Sequence, residues 1–288
     1  MKSDPIVIVG AARTPMGGLL GDFASMAAPQ LGSAALDAAV SRGGLKADDI
    51  ENVVMGCVLP AGQGQAPARQ AALGAGMPKS TGCTTINKMC GSGMQAIMFA
   101  HDMLAGGSFD VMAAGGMESM SNAPYLLPKA RGGYRLGHDK VMDSMFLDGL
   151  EDAYDRGRLM GTFAEDAAQS YQFSRQEQDA YAVASLERAV KAGKDGSFAQ
   201  EITPVKVKTR KGETLIDIDE QPGKAQLDKI PMLKPAFREG GTVTAANSSS
   251  ISDGAAALVM AARSQAEALG APIRAIVRGH ASHAQEPG

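Results

Sequence analysis

Cys90 is the residue of this chain best suited to covalent chemistry, and it lies in the segment 86–94, which reads INKMCGSGM. At this point a run able to form a strand gives way to a helix. A cysteine attacks as its thiolate, and the unpaired N–H groups at a helix N-terminus favour that anion. Gly91 and Gly93 permit a tight turn and leave room for a substrate near the main chain. The segment therefore predicts a nucleophile; the alternative is a small buried apolar residue, the usual environment of a free cysteine.

The composition is typical of a globular protein without a strongly charged partner. The chain has 288 residues, of which 44% are apolar and 20% charged, with a formal net charge of −3. This length suits about two domains, and nothing in the charge balance indicates a nucleic-acid or membrane partner. The apolar run 6–9 is too short for a signal-peptide core or a spanning helix, so we expect a cytoplasmic protein.

Metal-binding and disulfide patterns are weak. The three cysteines, Cys57, Cys83 and Cys90, contain no C-x-x-C pair, so neither a disulfide framework nor a zinc site is indicated. The methionines lack metal-ligand spacing and are expected to fill the core. His280 and His283 lie three apart without a carboxylate partner pattern, and we expect neither a metal site nor a general base there.

Short apolar runs alternate with helical patterns over the first 120 residues, which indicates the α/β class with a parallel or mixed sheet. The predicted elements are, in chain order, strand 6–9, helix 28–42, strand 52–59, helix 66–75, a strand before Cys90, a helix after it, and strand 110–114 closed by Gly115 and Gly116. The helix after Cys90 is apolar on nearly all sides. That pattern predicts burial on every face, between two sheets.

The sequence then changes character, which indicates a domain inserted at 121–244 into a first domain formed by 1–120 and 245–271. Thr162 with Glu165, and Ser174 with Glu177, have capping-box spacing and predict two helix starts, the second helix running to Gly193. The run 202–219 predicts a β-hairpin.

The first domain is expected to resume with strand 255–260 and helix 264–269. A further strand at 273–277 predicts the start of another domain over 272–288, with no partner strand within the chain.

Motifs for nucleotide cofactors and for serine nucleophiles are missing from the places where they would be expected. The segment 10–15 after the first strand has neither G-x-G-x-x-G nor P-loop spacing, and no G-x-S-x-G is present. A dinucleotide enzyme is therefore not indicated, and Cys90 remains the candidate nucleophile.

Several separated blocks, in matching order and spacing, show that the chain resembles the thiolases, and within them the acetyl-CoA acetyltransferases. The blocks are 12–15, 64–70, 86–93, 115–121, 159–162, 234–237 and 241–257. The resemblance implies an α/β thiolase-like fold, with an N-terminal βαβαβαββ half, an inserted α+β loop domain, and a second half largely absent. In the family, two five-stranded halves enclose buried helices.

The resemblance also implies acyl transfer between CoA thioesters, interconverting two acetyl-CoA with acetoacetyl-CoA plus CoA. Cys90 matches the cysteine that accepts the acyl group, and its main-chain N–H matches a donor of the oxyanion hole. The implied partners are acetyl-CoA, acetoacetyl-CoA and CoA as substrates, with no separate cofactor. A homodimer or homotetramer is implied as well, with contacts near 131–140.

Substrate contacts carry over from the family residue by residue. Ala245 and Ser249 match positions that contact pantetheine, Met160 and Phe237 match pocket walls, and Leu150 matches an adenine-side contact. Some relatives carry an arginine near the nucleotide where this chain has Pro222, and either Lys224 or Lys229 is expected to compensate for it.

A basic strand, Lys206, Lys208, Arg210 and Lys211, leaves two interpretations open. It could attract CoA phosphates, or its lysines could form the solvated face of a hairpin, as is common on edge strands.

The chain also departs from the family, because it lacks the Gly-His-Pro, second-cysteine and Asn-Glu-Ala-Phe motifs of the second half. Each general acid or base is worth about 10²–10⁴-fold in rate, so we expect the activity of this chain alone to be impaired. The alternatives are a non-catalytic partial thiolase that binds CoA esters or a partner subunit, and a different cysteine acyltransferase related to the ketosynthases. The large insertion disfavours the last of these.

Overall fold

A computed structural model describes residues 4–210 and 212–286 of the chain. The strands are β1 (Ile6–Arg13), β2 (Gly17–Gly18), β3 (Asn52–Gly56), β4 (Gly82–Ile86), β5 (Val111–Ser119), β6 (Tyr125–Leu126), β7 (Met142–Asp143), β8 (Val205–Thr209), β9 (Gly212–Ile216), β10 (Ser252–Ala262) and β11 (Ala275–Ile276). The α-helices are α1 (Ala28–Arg42), α2 (Pro67–Gly74), α3 (Ser92–Ala105), α4 (Met160–Ser170), α5 (Arg175–Lys194), α6 (Glu220–Lys224) and α7 (Arg263–Ala268). Short 3₁₀ or π turns lie at Ala47–Asp49, Met120–Asn122, Ala130–Gly132, Phe146–Leu150 and Leu227–Met232.

The central sheet is mixed and runs in the order β11-β1-β10-β5-β3-β4. The strands β5, β3 and β4 are parallel, whereas β10 pairs antiparallel with both β1 and β5. The five long strands and the first three helices follow one another as βαβαβαββ, with the insertion between β5 and β10. The α/β class and the order of elements predicted from the sequence are confirmed.

The two faces of this sheet bury different helices because successive strand side chains point to opposite sides. Val7 and Val9 belong to the cluster on the α1 and α2 face, whereas Ile6 packs with Ala96 and Ala100 of α3 on the other face. Of the first three helices, α3, which follows Cys90, therefore packs on the face of the sheet opposite to α1 and α2.

The prediction that Gly115 and Gly116 close a strand is wrong, because β5 continues through them to Ser119. A Cβ atom on Gly115 would lie 2.0 Å from the carbonyl oxygen of Ala256, and one on Gly116 would lie 3.3 Å from the Cα of Gly93. These glycines are therefore needed for close approach of neighbouring backbones, not for a turn.

The prediction that the helix after Cys90 is buried on every face is also wrong for the described residues. Ala96, Ala100 and Leu104 are buried against the sheet, but Met94 and Phe99 are 65% and 41% exposed. One sheet covers one side of a helix, and the part of the chain that the structure describes supplies no second sheet on the other side.

Within the insertion, the prediction of the helix start at Ser174 is confirmed, and that at Thr162 is wrong. The Ser174 hydroxyl accepts from the N–H of Glu177, and the Glu177 carboxylate accepts from the N–H of Ser174 at 2.8 Å. α4 instead begins at Met160, and Thr162 donates its hydroxyl to the carbonyl of Leu159 within the first turn. A capping box would place Glu165 in the exposed first turn of a helix. Its carboxylate is instead buried and accepts a hydrogen bond from the N–H of Val243, 78 positions away.

The predicted hairpin is confirmed as β8 and β9, in which Val205 and Val207 are buried while Lys206 and Lys208 are exposed. The solvated-face interpretation of the basic strand fits this alternation, and Lys211 lies outside the described residues. α5 ends at Lys194, one residue beyond the predicted stop.

Arg13 joins the insertion to the first sheet. Its guanidinium donates to Glu201 at 2.7 Å and to both carboxylate oxygens of Asp219 at 2.7 and 3.0 Å, and it lies over the ring of Phe198. Burial opposes ionisation of Asp219, but the hydrogen bonds from Arg13 and from the N–H of Met16, together with the charge of Arg13, outweigh it and hold the pKa of Asp219 below its usual range.

The last strand has a partner, contrary to the prediction. Ala275 and Ile276 of β11 pair antiparallel with Ile8 and Val7 of β1, so they form an edge of the central sheet. The division into domains at 120, 244 and 271 stays a prediction. Over residues 4–210 and 212–286, no helix combines the length and the apolar character needed to cross a bilayer.

Candidate functional site

Cys90 is exposed on a short loop between the end of β4 and the start of α3. The preceding residue, Met89, has a φ of +49°, a left-handed conformation that is uncommon for a residue with a side chain. The loop is therefore held in a specific shape, and it presents the Cys90 thiol to solvent.

A serine and an asparagine hold this loop. The hydroxyl of Ser92 accepts from the N–H of Lys88 at 2.8 Å and donates to the carbonyl of Met89 at 2.6 Å. The side chain of Asn87 accepts from the N–H of Met89 at 2.9 Å and donates to the carbonyl of Val58 at 3.3 Å. These bonds fix the main chain on both sides of Met89 and so position Cys90.

The start of α3 packs directly on the end of β3 because Gly56 has no side chain. A Cβ atom there would lie 2.6 Å from the carbonyl carbon of Ser92 and 2.8 Å from the nitrogen of Gly93. Any larger residue at Gly56 would push the helix start, and the Cys90 loop with it, away from the sheet.

Glu118 holds the segment that contacts Asn87. Its carboxylate accepts from the N–H groups of Val58 at 2.7 Å and Leu59 at 3.1 Å, and from the thiol of Cys57 at 3.5 Å. Burial raises the pKa of Glu118 above its usual range, although the two N–H donors act in the opposite direction. No local sequence pattern indicates this role, because Val58 and Glu118 lie 60 positions apart.

The other two cysteines are poor nucleophiles. Burial, together with the neighbouring charge of Glu118, raises the pKa of Cys57 to about 12. Burial also raises the pKa of Cys83. Thiolate, not thiol, is the reactive species, so the environments of Cys57 and Cys83 leave Cys90 as the candidate among the described residues.

Three of the predicted substrate contacts, Lys229, Ala245 and Ser249, line one cavity of about 820 Å³. It lies between α5 and the turn Leu227–Met232 of the insertion on one side and the loop 245–252 on the other, and Met16 also lines it. Pro222, the position where some relatives carry an arginine, is in the same wall. This volume is in the range of small-molecule sites, about 300–1,000 Å³.

Asn247 shapes the wall that carries Ala245 and Ser249. Its side chain accepts from the N–H of Thr244 at 2.7 Å and donates to Asp179 of α5 at 3.0 Å. Asp179 is buried and also pairs with Arg175 at 2.7 Å. The loop is therefore tied to the helix on the other side of the cavity.

The remaining three predicted contacts, Leu150, Met160 and Phe237, do not line that cavity. They group around the start of α4: Glu151, which follows Leu150, bridges to Leu159, which precedes Met160. The ring of Phe237 lies so close to Gly161 that a Cβ there would be 2.3 Å away. The side chain of Met160 is 56% exposed.

Glu165 connects these two groups. Its buried carboxylate accepts from the N–H groups of Thr242 at 2.9 Å and Val243 at 2.8 Å, which immediately precede the cavity loop. The N–H of Ala236, next to Phe237, donates to the carbonyl of Val243 at 2.9 Å. One carboxylate thus organises the main chain between Phe237 and Ala245.

Of the two lysines expected to compensate for the missing arginine, Lys229 is the better placed. Lys224 pairs with Glu220, whose carboxylate also accepts from the N–H groups of Gly18 and Asp22. Lys229 is exposed and lines the cavity itself.

The prediction that His280 lacks a carboxylate partner is wrong. Its Nε2 lies 2.9 Å from a carboxylate oxygen of Asp102, and the Nδ1 of His101 lies 3.0 Å from the same oxygen. Sequence spacing could not show this pairing, because His280 and Asp102 lie 178 positions apart.

Comparison with known proteins agrees with this geometry. Residues 6–264 match the family described as "Thiolase, N-terminal domain". The chain is 51% identical over 286 residues to Acetyl-CoA acetyltransferase 2 of Arabidopsis thaliana, covering 98% of this chain and 70% of that protein. It is 45% identical to Acetyl-CoA acetyltransferase of Pseudomonas aeruginosa, over 98% of this chain and 72% of that protein.

A solved structure, "Structure of Acetyl-CoA acetyltransferase from Syntrophomonas wolfei", superposes with a TM-score of 0.89 at 41% identity. The superposition covers 94% of this chain and 68% of that one. The thiolase-like fold expected from the sequence blocks is therefore confirmed.

Proposed function

The chain belongs to the thiolase family, a family of acyltransferases, and from this premise we propose that Cys90 accepts an acetyl group from a CoA thioester. The observation that carries the proposal is the exposed thiol of Cys90 on a strained, hydrogen-bonded loop directly before α3, in a chain whose other two thiols have raised pKa values. The full proposed reaction interconverts two acetyl-CoA with acetoacetyl-CoA plus CoA.

In the first step the sulfur of Cys90 attacks the thioester carbonyl carbon of acetyl-CoA. A new carbon–sulfur bond forms on Cys90, the bond from that carbon to the CoA sulfur breaks, and the thiol proton ends on the departing CoA. One thioester replaces another, so the step is close to balanced in energy and runs in both directions. The N–H groups at the start of α3 would stabilise the anionic intermediate.

The cavity lined by Lys229, Ala245 and Ser249 is proposed to bind the CoA part of the substrate. Lys229 supplies a positive charge for a phosphate, and the small side chains of Ala245 and Ser249 leave room for the narrow pantetheine arm. Leu150, Met160 and Phe237 are proposed as further walls along the same substrate. CoA thioesters act here as substrates, and no separate cofactor is proposed.

Two further predictions stay proposals. A homodimer or homotetramer is proposed to form through 131–140, whose residues are exposed throughout. The cytoplasmic location also stays a prediction.

The test is mass spectrometry of the chain after incubation with acetyl-CoA, followed by peptide mapping. We expect one acetyl group on the peptide that contains Cys90. The Cys90→Ser variant should lose the adduct, whereas the matched Cys83→Ser variant should keep it. An acetyl group on Cys57 or Cys83 in the wild-type chain would overturn the assignment.

A further inference from the structure

Two imidazoles and one carboxylate meet at the far end of α3 from Cys90. His101 and Asp102 lie in the last turns of this helix, and His280 lies in the segment 277–286, which follows β11 and has no regular structure. The rings of His101 and His280 are 5.0 Å apart and nearly perpendicular, at 84°. The cluster thus brings a distant segment of the chain onto the helix.

The ligand atoms converge on one point. The Nδ1 of His101 and the Nε2 of His280 lie 3.0 and 2.9 Å from the same oxygen of Asp102, and all three atoms lie within 4.8 Å of one another. Around a tetrahedral zinc ion with bonds of about 2.0–2.1 Å, neighbouring ligand atoms lie about 3.3 Å apart. Small side-chain shifts would therefore admit a cation between these atoms.

The donor set selects the kind of cation. Imidazole nitrogen suits Zn²⁺, Co²⁺ and Ni²⁺, whereas Mg²⁺ and Ca²⁺ prefer sites made wholly of oxygen. Asp102 contributes a carboxylate oxygen, whose negative charge favours a cation between the two imidazoles.

The cluster is accessible from solvent. The side chains of His101 and His280 are 21% and 26% exposed, and that of Asp102 is 59% exposed. An ion can enter without unfolding, and water can complete its coordination, as in zinc sites with three protein ligands.

We propose that His101, Asp102 and His280 form a binding site for a divalent transition metal of the Zn²⁺ type. The metal would fasten the segment 277–286 to α3. The same segment also contacts the loop that precedes the helix, where the amine of Lys88 donates to the hydroxyl of Ser282 at 2.9 Å. Lys88 lies two positions before Cys90, so the fastened segment runs beside the nucleophile loop, residues 87–91 between β4 and α3.

The experiment is calorimetric titration of the metal-free, untagged chain with ZnCl₂, with Co²⁺ absorption spectroscopy as the second readout. Because Cys90 is exposed and thiolates bind zinc, the titration is run in a Cys90→Ser background. We expect one saturable site, and a Co²⁺ spectrum with d–d bands of a four- or five-coordinate site.

Matched variants use all four histidines of the chain. Loss of an outer-shell partner already weakens metal affinity by about 10–100-fold, so His101→Gln and His280→Gln should each weaken zinc binding by at least that factor. His138→Gln and His283→Gln should leave it unchanged. Asp102→Asn tests the carboxylate without altering side-chain size.

Thermal unfolding distinguishes loss of the site from loss of the fold. Zinc should raise the Tm of the parent chain and leave that of His280→Gln unchanged, while the two metal-free Tm values agree. Absence of a one-to-one site, or equal weakening by His283→Gln and His280→Gln, would overturn the proposal.

Discussion

The two regions that supply the candidate site are built in opposite ways. The nucleophile loop lies on the central sheet, where Gly56 and Gly116 let α3 approach the strands and apolar side chains fill both faces. The cavity lined by Lys229, Ala245 and Ser249 lies between the insertion and the loop 245–252, where buried carboxylates such as Glu165 and Asp179 organise the main chain. Packing thus sets the position of α3, neutral hydrogen bonds of Ser92 and Asn87 shape the loop that carries Cys90, and charged hydrogen bonds shape the surface that is proposed to hold the substrate.

The largest expected effect comes from breaking the packing in the first region. Gly56→Ala places a Cβ atom 2.6 Å from Ser92, so we expect a loss of about 3 kcal/mol in the free energy of unfolding, measured by urea denaturation. Gly193→Ala in α5 is the matched control, because nothing lies within 4 Å of the added atom. It should be neutral or stabilising by up to about 1 kcal/mol. Equal stability of the two variants would contradict the close approach of α3 and β3.

The next effect breaks the charged framework of the insertion. Glu165→Ala leaves the N–H groups of Thr242 and Val243 without their acceptor, and we expect a loss of about 2 kcal/mol. CoA affinity, measured by calorimetry, should fall in the same variant, because Thr242 and Val243 immediately precede the loop 245–252 that lines the cavity. Glu187→Ala, an exposed carboxylate on α5, should change neither quantity. If the two glutamate variants bind CoA equally well, Glu165 does not organise the cavity.

A smaller effect on stability is expected when the hydrogen bonds that hold the nucleophile loop are removed. Ser92→Ala removes the hydroxyl that bonds Lys88 and Met89, which should cost about 1 kcal/mol of stability. Because even a small displacement of a nucleophile slows its reaction strongly, acetylation of Cys90 should be about 10- to 100-fold slower in Ser92→Ala. The exposed Ser108→Ala is the control for both measurements. An unchanged acetylation rate in Ser92→Ala would show that the loop keeps its shape without this clamp.

The smallest effect is acid sensitivity at the junction of the two regions. The pKa of Asp219 in the folded chain lies below its unfolded value of about 3.9, so its stabilising contribution is fully present above about pH 4. That contribution is lost as the pH falls through the lower folded pKa. Urea denaturation between pH 7 and pH 3 should therefore show that the free energy of unfolding falls less in Asp219→Asn than in the wild-type chain. An equal fall in both chains would show that Asp219 does not contribute to the acid sensitivity.

Sequence periodicity predicted the first region well because its strands and helices bury apolar residues at regular intervals. The order βαβαβαββ, the helix at Ala28–Arg42 and the turn at Cys90 were all readable from local patterns. Gly115 and Gly116 misled the prediction, since a glycine needed for backbone contact has the same local appearance as one that ends a strand.

The contacts that position the site could not be read in this way. Glu118 to Val58, Glu165 to Val243 and His280 to Asp102 join residues 60, 78 and 178 positions apart. Local spacing even assigned Glu165 to a capping box, because a carboxylate three residues after a threonine looks alike in either role. Resemblance to the family supplied the six candidate substrate contacts, which stay predictions, and only the fold divided them into the cavity group and the α4 group.

The cavity lined by Lys229, Ala245 and Ser249 is proposed to bind the CoA thioester that reacts with Cys90, and protection of Cys90 from alkylation tests this proposal directly. Iodoacetamide labelling of Cys90 is followed by mass spectrometry with and without desulfo-CoA, which lacks the reactive thiol. We predict that saturating desulfo-CoA slows labelling of Cys90 and that Lys229→Glu weakens this protection. Labelling of Cys90 at the same rate with and without desulfo-CoA would show that CoA does not bind next to Cys90.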